Sequence, residues 1–208
     1  MAAEIKNVIF DMGQVLLTFT PEGILAPHFP EEERREAARR VIFESGDWAL
    51  TDTGRVEEET LLARWIAALP GEEEALRALM ARWYDAMEPV AGMTELVAEL
   101  REAGYRCFLL SNTSPRFGEY AHRHQCLRML DGCLISGELG IVKPDPAIFR
   151  ALLERFDLRG EECFFVDDAP RNVAGAAACG IRGFCFEGYD VSALRRAMRN
   201  EGIRIGET

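Results

Sequence analysis

Five short apolar runs punctuate the chain: Val8 to Asp11, Tyr105 to Ser111, Gly132 to Ile135, Cys163 to Val166 and Gly183 to Phe186. Each is of strand length and lacks apolar/polar alternation, the pattern of a strand covered on both faces. Between and after the later runs the apolar positions return at helical spacing. These stretches are Ala91 to Ala103 before Gly104, Pro146 to Phe156, Arg171 to Cys179 before Gly180, and Ser192 to Asn200. Glycine closes two of them, as expected of a helix C-terminus. Strand and helix in alternation predict an α/β protein with a parallel sheet of five strands and right-handed crossovers.

One stretch breaks the alternation. From Thr20 to Glu88 only helical patterns occur, among them EEERREAARRVIFES, VEEETLLARWIAAL and EEEALRALMARWYDAM. Residues 20–88 therefore read as an all-helical insert between the first strand and the rest of the sheet, and Pro89 marks re-entry. The core would comprise 1–19 and 89–208. No repeat, low-complexity tract or linker interrupts it.

Composition narrows the partners. The 208 residues are 48% hydrophobic, enough to bury a sizeable core. Thirty-five acidic against 24 basic residues give a net charge of −11, which repels nucleic acid and anionic membrane, so neither is expected as a partner. The opening MAAEIKNVIF leads into a strand, and no apolar stretch nears the roughly 18 residues of a membrane span. A cytoplasmic location is expected. The cysteines at 107, 126, 133, 163, 179 and 185 form no C-x-x-C pair and read as reduced, buried small hydrophobes. Oligomeric state leaves no trace in the sequence.

Polar residues gather where the strands end. In a parallel sheet all C-terminal strand ends share one edge, and ligands bind there near the switch in strand order. Asp11 ends the first run, Ser111 and Asn112 the second, and Asp167 and Asp168 the fourth, while Lys143 follows the third. Any one of these reads as a cap, a turn former or a solvated charge. Together they make a site. Three acids on one edge repel one another and any anionic substrate unless a cation joins them, and Mg²⁺ suits carboxylates, a backbone carbonyl and water. Lys143 adds positive charge, and Ser111 and Asn112 add donors for an oxyanion. This is the equipment of phosphoryl transfer, with Asp11 as the candidate nucleophile.

The motifs resemble those of the haloacid dehalogenase (HAD) superfamily, over the core before and after the insert. FDMGQVL resembles its first motif, LLSNTS its second, GIVKPDPAIF its third and FFVDDAPRNVAGA its fourth. The resemblance implies a Rossmann-like core and an aspartyl-phosphate on Asp11. It implies phosphate binding by Ser111, Asn112 and Lys143, and catalysis by Asp11 with Lys143. It also implies Mg²⁺ on Asp11, the Gly13 carbonyl and Asp168, supported by Asp167 and Asn172. The insert becomes a helical cap that closes over the site and selects a small phosphorylated metabolite. The F-D-x-G-x-V form is similar to that of a bacterial subgroup with sugar-phosphate phosphatases of the glucose 1-phosphate type.

Gly13 departs from the phosphatase pattern. Phosphatases of this superfamily carry an acid/base Asp two residues after the nucleophile, and glycine has no proton to give. A general acid/base contributes about 10²- to 10⁴-fold in rate. Dehalogenases of the superfamily also lack that Asp, so a metal-independent 2-haloacid dehalogenase is the first alternative. A catalytically weak phosphate-binding or regulatory protein is the second. The retained Asp167-Asp168 pair favours the phosphatase. His28, His122 and His124 read as surface residues, because positions two apart share no helix face. Trp48, Trp65, Trp83 and Tyr84 read as helix packing. Trp48 is the exception, since it precedes the turn TDTGRV, where a mobile Gly54 could bring the loop to substrate.

Overall fold

A computed structural model describes residues 3–206; the outermost ends of the expected core, 1–2 and 207–208, lie outside the described residues. Five strands, β1 (Asn7–Phe10), β2 (Arg106–Ser111), β3 (Gly132–Ile135), β4 (Cys163–Asp167) and β5 (Arg182–Cys185), form one parallel sheet in the order β3-β2-β1-β4-β5. All five coincide with the apolar runs. β1, β2 and β4 are sealed on both faces because side chains alternate between two separate layers. Val8 and Phe10 of β1 join one core with Leu109 and Val166, and Ile9 joins the other with Phe108 and Phe165.

Helices Met93–Glu102 and Val191–Asn200 cover the first face through Leu96, Leu100, Leu194 and Met198, and helices Pro146–Arg155 and Pro170–Ala177 cover the second through Phe149, Leu152 and Ala176. Their starts are written in the sequence. Asp145 caps the Ala147 amide and proline opens the helix at 146; Asp190 caps Ala193 in the same way.

After β1 the chain turns back on itself before the long helical stretch, and the two ends of that stretch are laced together. Thr18 N donates to Glu88 O at 2.7 Å and Val90 N to Leu16 O at 3.0 Å. Between them lie Pro21–Leu25, Glu32–Arg39 continued by a π-helical segment Arg40–Glu44, then Asp47–Thr51, Glu58–Ala68 and Glu73–Arg82. No strand lies among them. Among the described residues, no helix is long and apolar enough to cross a membrane.

Sequence pattern missed the shortest helices, Phe117–Tyr120, Gln125–Arg128 and Ser136–Leu139, which have four residues each and too little length to show a period. The histidine reading needs correction. Only His122 is exposed; His28 and His124 are half-buried, and burial holds both below the ordinary imidazole value. The six cysteines are unpaired, and Cys107, Cys126 and Cys163 are buried.

Candidate active site

The strand order changes direction between β1 and β4, and the chain places its charges at that crevice. Asp11 leaves β1 one residue beyond its last paired position, with its amide still bonded to Val166 O at 2.8 Å. Its Oδ1 accepts from the Met12 amide at 2.7 Å, which aims the carboxylate away from the sheet. Across the switch point Asp167 ends β4, fully buried. Lys143 spans the gap: its Nζ lies 2.8 Å from Asp11 Oδ1 and 2.6 Å from Asp167 Oδ2, with 2% of the residue exposed.

Such an ammonium survives burial only because both carboxylates face it. Desolvation, the largest influence, works against its charge, yet Asp11 and Asp167 outweigh it and hold Lys143 above the ordinary lysine value. The loop that presents it is pinned by Asn112, whose Oδ1 accepts from Lys143 N at 2.8 Å and whose Nδ2 donates to Lys143 O at 3.0 Å. Asn112 thus has a structural duty beside the oxyanion contact expected of it. Gly175 serves the same loop, since a Cβ there would lie 2.6 Å from Pro144 O. Ser111, the last residue of β2, is 1% exposed.

Asp167 is held by three donors: Lys143, the Ala169 amide at 2.9 Å, and Asn172 Nδ2 at 2.9 and 3.2 Å from its two oxygens. Asp168 turns into the open cavity. Burial, with Asp167 beside it and Lys143 opposing, raises Asp168 above the usual carboxylate value. Burial pushes Asp11 up to about 7, reinforced by Asp167 and opposed by Lys143.

These groups fit a hard divalent cation. Single oxygens of Asp11, Asp167 and Asp168 lie within 4.8 Å of one another. Asn172 Oδ1 is buried without a partner among the described residues. No described backbone amide donates to the Gly13 carbonyl. Oxygen donors left unsatisfied beside crowded carboxylates are what such an ion would complete.

The cavity above them, about 310 Å³, contains residues the sequence reading did not assign to it. Phe19, Trp48 and Trp83 form an aromatic wall, with Trp48 and Trp83 edge to face at 5.3 Å. Trp48 was expected near substrate; Trp83 was expected only to pack helices, and it does both. Trp65, fully buried, and Tyr84 are packing residues. Arg171 and Asp52 also line the cavity. Asp52 sits in the turn TDTGRV, so the sequence signal was present, but nothing in the pattern said which way the turn docks.

Gly54, the position in that turn expected to be mobile, is closely packed in the structure. Its φ is +62°, and a Cβ on it would fall 2.0 Å from Gly137 O, so this backbone is pressed against the loop after β3.

Residues 5–180 match the family model for haloacid dehalogenase-like hydrolases. A sesquiterpene phosphatase of Aspergillus oryzae is 29% identical over 186 residues, 88% of this chain and 90% of that protein. An (S)-2-haloacid dehalogenase of a Pseudomonas species is 28% identical over 143 residues, 68% of this chain and 56% of that protein. The fold is that of a Bacteroides thetaiotaomicron HAD-family enzyme solved as its magnesium complex, at TM-score 0.74 and 23% identity, over 93% of this chain and 100% of that one.

Proposed function

The chain belongs to the haloacid dehalogenase-like hydrolase family, and from that membership we propose a Mg²⁺-dependent phosphomonoesterase that forms an aspartyl-phosphate on Asp11. One observation carries the reading: Lys143 Nζ bridges Asp11 and Asp167 while Asp168 completes a carboxylate cluster beside them. A haloacid needs the nucleophile and a cation for its carboxylate. A phosphoester needs more, because its transition state spreads negative charge over three oxygens.

In this reading Asp11, Asp168 and the Gly13 carbonyl hold the ion, with Asp167 and Asn172 orienting the set. The ion supplies charge neutralisation for the phosphoryl oxygens and keeps Asp11 anionic. Asp11 Oδ attacks phosphorus and the ester oxygen departs on the far side. Lys143 balances the carboxylates and the incoming phosphoryl charge, and Ser111 and the remaining Asn112 donor bind its oxygens. Asp167, without a free lone pair to spare, fixes Lys143 and stays out of the chemistry.

We take residues 20–88 as the cap and 1–19 with 89–208 as the catalytic core. The aromatic wall and the cavity volume suit a small phosphorylated metabolite, such as a sugar phosphate whose C–H face lies on Trp48 or Trp83. The Aspergillus relative adds isoprenoid phosphates to the candidates.

Dehalogenation is the second reading, favoured by Gly13 and by the Pseudomonas relative. A panel of sugar, aryl and isoprenoid phosphates, run beside 2-chloropropionate with Mg²⁺ and with EDTA, separates the two. Phosphate release that needs Mg²⁺ and stops in EDTA is expected. Chloride release undiminished in EDTA, with every phosphoester inert, would replace the phosphatase by the dehalogenase.

A further inference from the structure

The proposed reaction lacks a proton donor for the departing oxygen at the usual place, and the cavity contains one carboxylate the scheme has not used. Asp52 enters it from the helical segment, whereas Asp11, Gly13 and Asp168 enter it from the strand ends. It stands outside the close carboxylate cluster, so it is not one of that cluster's oxygen donors.

Its position is built, not incidental. Asp52 O accepts from Ser136 Oγ at 2.6 Å, and Ser136 Oγ in turn accepts from Thr113 N at 3.0 Å. Two residues on, Gly54 lies against Gly137, and Arg55 Nη2 donates to Gly140 O at 2.6 Å. The turn carrying Asp52 is thus bonded to the loops that follow β2 and β3, the second of which leads to Lys143. Holding the backbone of this turn fixes where the Asp52 side chain enters the cavity, and a fixed position is the condition for proton transfer within one reaction cycle.

Resting on the phosphatase reading, we propose that Asp52 is the acid/base residue that Gly13 cannot be. As Asp11 Oδ bonds to phosphorus and the P–O ester bond breaks, the departing oxygen takes the proton from the Asp52 carboxyl and leaves as the neutral alcohol. The Asp52 carboxylate then takes a proton from water, whose oxygen attacks the aspartyl-phosphate. Inorganic phosphate leaves, Asp11 returns to its carboxylate, and Asp52 is again protonated.

The surroundings favour a carboxyl ready for both roles. Burial raises Asp52 to about 7, the charge of Asp11 adds to this, and Lys143 and a hydrogen bond with Thr51 oppose it. Tyr120, whose own phenol is raised mainly by burial, feels the Asp52 charge as well. Nor is Gly13 forced by conformation. Its φ is not positive, and an added Cβ meets only the Phe19 side chain, at ordinary distances of 3.5 and 3.9 Å. An acid could stand at 13, and the carboxyl of this cavity that lies outside the cluster stands at 52 instead.

The test is rapid-quench measurement of phospho-enzyme formation with Mg²⁺, over a series of phosphomonoesters from nitroaryl to primary alkyl. It compares wild type, Asp52→Asn, and Asp52→Asn combined with Gly13→Asp. Asp52→Asn should slow the alkyl esters by about 10²- to 10⁴-fold and the nitroaryl esters far less, steepening the dependence on leaving-group pKa. Gly13→Asp should restore the alkyl esters in that background, which repair of a merely structural defect would not do. An equal loss across the series would overturn the proposal. So would a wild type in which alkyl esters already lag nitroaryl esters in full proportion to leaving-group pKa, the sign of no proton donor, a result that needs no variant to fold. Wild type that forms no phospho-enzyme from any ester would instead remove the phosphatase reading beneath it.

Discussion

Lys143 shows how little freedom the central residues have. It has 2% exposure and two carboxylates within 2.8 Å, and deleting one member of such a buried set leaves a stranded charge at a cost of about 3–5 kcal/mol. Asp52 differs, because its burial and the charge of Asp11 outweigh the opposing influence of Lys143. Its pKa is raised in the folded protein from 3.8 to about 7, by burial first and Asp11 second. The folded state therefore holds this proton more tightly than the unfolded chain, and stability is lost as pH rises through that interval. In EDTA, thermal melts should show Asp52→Asn more stable than wild type at pH 8, with the gain vanishing below about pH 4, where both states carry the proton. A difference independent of pH would mean that Asp52 is ordinarily solvated. That Asp11, Lys143, Asp167 and Asp168 come together was legible in the sequence because strand ends share one edge. Asp52 was not, since only docking of its turn brings it there. The φ of Gly13 was equally hidden.

At the scale of elements, the strands were easy to read and the short helices were not. A strand such as CFFVD is apolar on both faces and has no other use for those side chains. A four-residue helix such as Ser136–Leu139 exists because its surroundings accept it, and it carries no periodicity of its own. Yet that helix and its Ser136 hold the Asp52 turn. Ser136 is fully buried, so Ser136→Ala strands the Thr113 amide as well as Asp52 O and should cost about 1–3 kcal/mol. Gly54→Ala should cost more than the roughly 1 kcal/mol of a positive φ alone, because its Cβ would meet Gly137 O at 2.0 Å. Urea titrations give both values, and both variants should lose activity on alkyl esters more than on nitroaryl esters. Wild-type selectivity in Gly54→Ala would mean that the turn need not be held for catalysis.

Across the whole molecule, a net charge of −11 surrounds the cavity, and the proposed substrate is itself an anion. Attraction must therefore be local: in the proposed reaction it would come from Arg171 on the cavity wall, from Lys143 buried against Asp11, and from a divalent ion held at the carboxylates. The helical segment contributes Trp48, Trp83 and Asp52, so a substrate bound there would touch both parts of the chain. That the stretch between Thr20 and Glu88 forms helices was legible from its lack of apolar strand runs. How the turn at Asp52 docks was not, because its contacts with the chain after β3 are made by Gly54, Arg55 and Ser136, residues with no hydrophobic signature. The central claim is covalent chemistry at Asp11, and the most direct measurement is acid quench of the enzyme turning over a ³²P-labelled aryl phosphate, followed by peptide mapping. With Mg²⁺ the label should appear on Asp11 as a hydroxylamine-sensitive acyl phosphate, and it should be absent in EDTA and in Asp11→Asn. Sustained phosphate release with no label on Asp11, or with label undiminished in Asp11→Asn, would contradict the account.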